Sequence, residues 1–278
     1  MLKILAAALM LVDHAARVFV PQYEWLRMIG RLAMPLFAYA IATGFYFASR
    51  KGTFPKYLLQ MAGFAVVSQV PFLLLRQAAG LEGFDLNIGV TWFLALLVLQ
   101  AVFAGRESGE AVLDQDGGLP RFLWYVIGAG ALAIAYFVPM DYGIYGVLYP
   151  LACYPVVRAV QIRARARADS TTTPPLPVSP TLPGESVQVD PSLALAPPAA
   201  APKQKLLVLY LTGGISQMLL NLGARLLLGM WPFQPLALVA FPIMCLDSGR
   251  KSRVNKWFFY VFYPVHLFLI WVIASLIR

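Results

Sequence analysis

Stretches of about 20 predominantly apolar residues recur along this chain, and a segment of that kind can satisfy its own backbone N–H and C=O groups away from water only as a helix. With 60% hydrophobic and 13% charged residues over 278 positions, the sequence is too apolar for a soluble domain of its length. The pattern predicts an all-α, polytopic transmembrane helical bundle of about nine spans. They fall near residues 2–20, 29–48, 56–76, 88–104, 121–138, 142–160, 204–228, 233–247 and 257–277. The eighth is short and opens with Trp231, Pro232 and Pro235, which also suits a tilted or re-entrant segment, or one joined to its neighbour.

The formal net charge is +9, but the basic residues gather at span ends, as membrane insertion requires, so the excess points to the lipid bilayer and not to nucleic acid. Arg50, Lys51 and Lys56 mark one loop; Arg158, Arg163, Arg165, Arg167, Lys203 and Lys205 mark a second; Arg250, Lys251, Arg253 and Lys256 mark a third. Nine spans put all three on one side, with a cytoplasmic N-terminus and an external C-terminus. Lys3 followed by Ile4 to Val12 also has the outline of a secretory signal. Cleavage after Ala15 or Ala16 would leave Asp13 or His14 at the −3 position, however, so the segment is read as an uncleaved span. Residues 168–202 change to Thr, Pro, Ser and Ala, a composition that buries too little apolar surface to order itself. They are read as a disordered cytoplasmic linker between a six-span part, 1–167, and a three-span part, 203–278. Cys153 and Cys245 read as packing residues, with no disulfide and no metal site.

Within the first span, Asp13, His14 and Arg17 interrupt an otherwise apolar run. Ionisable groups are expensive in a bilayer and are usually functional there. Asp13 and Arg17 stand four residues apart, acid first, the favourable order for an ion pair. His14 projects from a neighbouring stripe, at a rise of about 18 Å from Leu2 that carries it past the midplane. Arg31, Ser68, Gln69, Asn87, Thr91, Asp141, Asn221 and Arg225 fall at the same depth once the spans are oriented, a layer that reads as a polar cavity open to the outside. Gln69, Asn87 and Asn221 are candidates for substrate contact, although helix-to-helix hydrogen bonding is the commoner role of such a residue. Asp141 suits the start of the sixth span, where a carboxylate meets the helix dipole. His266, midway along the last span, is a candidate substrate contact or a satisfied buried histidine. Arg250, Lys251, Arg253 and Lys256 serve either topology alone or a phosphorylated cofactor.

These stretches resemble the TraX family, named for the membrane protein that acetylates the conjugative pilin subunit. The resemblance rests on Leu9 to His14, Ile29 to Ala38 with Gly44-Phe45, Ser68 to Phe72, Asp141 to Leu148, and Gly249 to Lys251 with Phe258 to Leu267. The family in turn looks like a distant relative of integral-membrane acyltransferases that modify surface glycans, in which a histidine at the end of the first span serves in acyl transfer; by resemblance His14 takes that place. The resemblance implies a bacterial inner-membrane enzyme with acetyl-CoA as cytoplasmic donor, no metal, and a pilin-like protein or glycan as acceptor. The Pro-rich insert after Arg167 departs from the family pattern.

Such a transfer needs a base for the attacking amine or hydroxyl and a positive group for the oxyanion. His14 is assigned the first role, as base or as acyl carrier, and Arg31 the second, with Asp13 or Asp141 orienting the imidazole. Two rival readings use the same residues differently. A transporter or flippase needs a polar intramembrane pathway and no cofactor, and a purely structural assembly protein tolerates apolar replacement of its buried charges.

Overall fold

The computed structural model describes residues 2–103, 119–172, 203–227, 238–248 and 256–277. Among them the regular secondary structure is helical: α1 (Leu2–Phe19), α2 (Glu24–Gly30), α3 (Ala33–Arg50), α4 (Phe54–Ala78), α5 (Ile88–Phe103), α6 (Arg121–Phe137), α7 (Gly143–Thr172), α8 (Lys203–Leu227), α9 (Ala240–Cys245) and α10 (Lys256–Ile277). Five stretches are long and apolar enough to cross a membrane: Glu24–Arg50, Phe54–Ala78, Gly143–Ala168, Gln204–Gly223 and Trp257–Ile277. Apolar α5 and α6 are shorter, and α1 carries Lys3, Asp13 and Arg17.

The expectation of about nine spans is therefore only partly matched, and the eighth differs most. Within 233–247 the described residues form a 3₁₀ turn at 238–239 and a helix of six residues, too short to cross a bilayer. Short as it is, α9 is tightly held. Met244 is buried beside Cys153 and Gln217, Tyr39 donates a hydrogen bond of 3.0 Å to the Asp247 carboxylate, and Arg163 donates to the carbonyls of Cys245 and Asp247. Cys153 and Cys245 are free thiols. Helix α7 continues to Thr172, past the expected linker boundary at 168, while 173–202 lie outside the described residues.

Helix α7 is the centre of the bundle because its apolar residues are spread round its whole circumference, the pattern of a helix buried on all sides. Tyr145, Val147, Tyr149, Cys153, Val156 and Val160 are fully buried against α3, α5 and α8. Pro150 and Pro155 interrupt its hydrogen bonding in mid-course, which a buried helix tolerates because neighbours re-satisfy the freed groups. The outer helices reverse the usual pattern of a soluble protein: α4 exposes Leu59, Val66, Val67 and Val70, an apolar exterior that suits lipid and not water.

Two arrangements position the site. Helices α1 and α10 run parallel, with Lys3 Nζ 5.7 Å from the Phe259 ring near their starts and His14 meeting His266 further along. The segment before α7 is pinned to the start of α5. Leu86 N–H donates to Pro139 O, Asp141 N–H donates to Leu86 O, and the Thr91 hydroxyl donates to Asp141 O at 2.7 Å.

Candidate active site

Helix α1 buries Asp13 and His14, at 5% and 7% exposure, although both are polar. They can sit so deep because the end of α2 passes α1 without a side chain: a Cβ on Gly30 would lie 2.5 Å from Asp13 Cβ and 2.7 Å from its Cα. The two side chains line a cavity of about 70 Å³ together with Arg17, Trp92, Asp141, Tyr142 and Tyr263. Residues from α1, α5, α10 and the turn before α7 thus converge on one small chamber.

The imidazoles of His14 and His266 form its most directed contact. His14 Nδ1 lies 2.8 Å from His266 Nε2, and the rings are nearly parallel, 22° apart. On its other side, His266 Nδ1 lies 2.8 Å from the carbonyl oxygen of Phe262, one helical turn back on α10. A carbonyl only accepts, so Nδ1 of His266 carries the proton that it donates. A neutral His266 then has its lone pair on Nε2, and the hydrogen bond between the rings requires His14 to donate through Nδ1. The proton positions follow from the heavy-atom network, and they leave the lone pair of neutral His14 on Nε2. Tyr263, edge-on to His14 with ring centroids 6.2 Å apart, and Phe262, stacked on His266, hold both rings in place.

The charged residues form a second tier. Asp13 Oδ1 and Arg17 Nε are both buried without a hydrogen-bond partner, so the expected Asp13–Arg17 pairing is not closed through these atoms. Arg17, Arg31 and Arg27 are the cations whose fields act on Asp13, while Asp141 feels Arg17 and Arg31. Two carboxylates thus share a compensating cluster of guanidinium groups. Arg31, expected to face the reacting centre, stacks over the Tyr142 ring at 5.8 Å, and the cation that lines the chamber is Arg17.

Tyr142 has φ 63°, a left-handed conformation that costs a bulky residue about 1–3 kcal/mol. The Thr91 and Leu86 hydrogen bonds to Asp141 hold the turn in this form, and Gly146 gives it room, since a Cβ there would meet Thr91 Cγ2 at 2.6 Å and Tyr142 Cβ at 2.9 Å. Asp141 is consequently not the cap of α7. It stands two residues ahead of the helix with its side chain on the chamber wall.

Of the remaining sequence-predicted residues, three are engaged elsewhere. Gln69 donates to Asp85 O and accepts from both the N–H and the side-chain amide of Asn87; Asn87 also donates to Ala65 O and accepts from Gly89 N–H. This is a closed clamp between α4 and the start of α5, the helix-to-helix role that was the alternative to substrate contact for both residues. Asn221 accepts from the Tyr145 hydroxyl at 2.9 Å and donates to Gln217 O, joining α7 to α8 away from the chamber. His266 is joined to the chamber through His14, and its other partner is its own helix. Neither Asp13 nor Asp141 hydrogen-bonds the His14 imidazole, the role expected of one of them; His266 does so. Arg250, Lys251 and Arg253 lie outside the described residues, as does the side chain of Lys256. The sequence reading missed Tyr142, Trp92 and Tyr263, whose aromatic character reads as packing, and it gave Arg17 only a neutralising role.

A model of the family described as TraX protein matches residues 1–179, which include α1 to α7. The chain is also 29% identical over 161 residues to the probable fimbrial assembly protein FimC, serogroup H1, of Dichelobacter nodosus. That match covers 54% of this chain and 59% of the relative, so the chain spans about three-fifths of the relative's length. No solved structure matches.

Proposed function

Because the chain belongs to the TraX family, we propose that it is an integral-membrane acetyltransferase of pilus or fimbrial assembly, moving an acetyl group from acetyl-CoA to an amine or hydroxyl on a pilin-like protein or a glycan. In this reading it lies in the bacterial inner membrane with about nine crossings. The Lys3 end faces the cytoplasm, where acetyl-CoA is found, and the acceptor arrives from the other face.

The observation that carries the proposal is the chain of hydrogen bonds from Phe262 O through His266 to His14 Nδ1, which leaves Nε2 as a base in the cavity. In direct transfer, Nε2 takes the proton of the attacking amine or hydroxyl as its nitrogen or oxygen bonds to the thioester carbon. The carbon–sulfur bond then breaks, and the proton passes to the departing coenzyme A thiolate. Each turnover yields one acetylated acceptor and one free thiol. His266 holds the ring and its tautomer, the office that a carboxylate performs in other hydrogen-bonded catalytic pairs. Arg17 supplies positive charge toward the developing oxyanion from the wall of the chamber, and Arg31 supports it from behind Tyr142. Asp13 and Asp141 balance these cations, which keeps the cluster affordable in a low-dielectric interior.

The test is to supply isotopically labelled acetyl-CoA to the cytoplasmic face of membrane vesicles and to search the opposite face for label on protein N-termini and glycan hydroxyls. Label that depends on this protein supports the proposal; its absence, with coenzyme A also failing to bind, favours a transporter.

A further inference from the structure

A second cavity, of about 600 Å³, opens between α3, α4 and the starts of α1 and α10. Its volume is that of a site for a medium-sized organic ligand. Lys3, Lys51 and Lys56 line it, and none of its described lining residues is acidic. Lys51 and Lys56 are exposed at the α3–α4 turn, while Lys3 is half-buried over the Phe259 ring. Helix α4 begins at this turn without a side-chain cap, which adds the positive end of its dipole to the field of the lysines. The mouth is built for an anion.

The interior is built for something narrow and uncharged. Ala40, Gly44 and Ala48 follow one another at four-residue intervals along the wall of α3, a face of small side chains against which the Tyr57 hydroxyl packs at Gly44. Phe37, Trp92 and Phe259 line this cavity and the His14 chamber alike, so these rings form the wall that the two spaces share. Along α1, the rise from Lys3 to His14 is about 16 Å, which an extended pantetheine arm can cover.

We propose that this groove, which rests on the acetyltransferase reading above, is the coenzyme A site. The phosphates sit among Lys3, Lys51 and Lys56, the pantetheine arm runs past Ala40, Gly44 and Ala48, and the thioester reaches His14 between Phe37, Trp92 and Phe259. The donor thereby enters from the lysine end and leaves the opposite side of the chamber for the acceptor.

The experiment is a titration of the purified full chain in detergent with coenzyme A and, separately, with pantetheine, which lacks the phosphates. Lys51→Gln combined with Lys56→Gln keeps length, removes charge and changes only exposed side chains. The double variant should bind coenzyme A at least tenfold more weakly and pantetheine within twofold of the parent, because charge-assisted hydrogen bonds to phosphate are lost and nothing else is. Ala40→Leu, which fills the groove, should weaken both ligands. Coenzyme A binding that stays within twofold in all these variants overturns this site and leaves the acetyltransferase reading standing. A parent protein that binds no coenzyme A overturns the donor assignment and this site together.

Discussion

His14 and His266 are 252 positions apart in the chain, and their Nδ1 and Nε2 atoms lie 2.8 Å apart in the core of the bundle. Two imidazoles can share that contact only while at least one of them is neutral, since two imidazolium rings have no acceptor to offer and repel each other. A pairing of this kind fixes a tautomer.

From it follows the behaviour expected of His266 substitutions. His266 is a positioning residue, so His266→Ala should lower kcat by about two orders of magnitude, the lower part of the range for a well-placed base, while coenzyme A affinity stays within about twofold. His266→Gln retains an acceptor for the Nδ1 proton of His14 and should recover part of the loss. A merely structural role would lower the yield of folded protein and would not divide kcat from binding in this way.

The same contact sets the direction of the pH dependence. A proton on His14 Nε2 removes the base, and a second proton on the pair breaks the hydrogen bond, so turnover should fall toward acid and rise to a plateau as the pair loses protons. Rates measured with saturating acetyl-CoA from the most acidic pH at which the protein stays folded up to mildly basic pH will show this. A flat profile over that whole range would exclude the pair from the rate-limiting step.

The reading of Gln69 and Asn87 as a clamp predicts a loss of stability without a loss of specificity. Asn87→Ala leaves the Gln69 oxygen, the Ala65 carbonyl and the Gly89 N–H short of a partner, at a cost of about 1–3 kcal/mol for the buried groups. Thermal unfolding in detergent should record it. Turnover per folded molecule, and KM for the acceptor, should stay near parental values.

Gly30 and Gly130 provide a matched pair of substitutions. A Cβ on Gly30 would overlap Asp13, so Gly30→Ala must push α2 and α1 apart at the site, whereas a Cβ on Gly130 meets nothing within 4 Å. Gly30→Ala should therefore cut turnover at least tenfold, in line with the sensitivity of positioned groups to small displacements. Gly130→Ala, in the same assay, should be silent.

The helices were legible because apolar runs of span length leave a chain few alternatives, and His14 was legible because an ionisable residue is conspicuous in such a run. The short α9 was not, since the composition of 233–247 does not reveal that only six of its described residues turn into helix. The polar layer was legible as a depth but not as a set of contacts. Depth put Gln69, Asn87 and Asn221 level with His14, whereas only rotation about each helix axis decides that Gln69 faces the start of α5, Asn87 faces α4 and Asn221 faces α7, and not the chamber. The exchange of Arg31 for Arg17 has the same origin: a left-handed Tyr142 puts its ring against Arg31, and no pattern in the residue types announces that backbone. His266 was read as a satisfied histidine or a substrate contact because its partner lies at the other end of the sequence.

The central claim is that His14 Nε2 is the base or the acyl carrier of an acetyl transfer. The measurement that tests it most directly is mass spectrometry of acceptor acetylation in membranes carrying either the parent or His14→Ala, with coenzyme A binding measured on the same preparations. The account predicts that acetylation falls by about 100- to 10,000-fold in the variant while coenzyme A still binds. A His14→Ala protein that acetylates at the parental rate would contradict it.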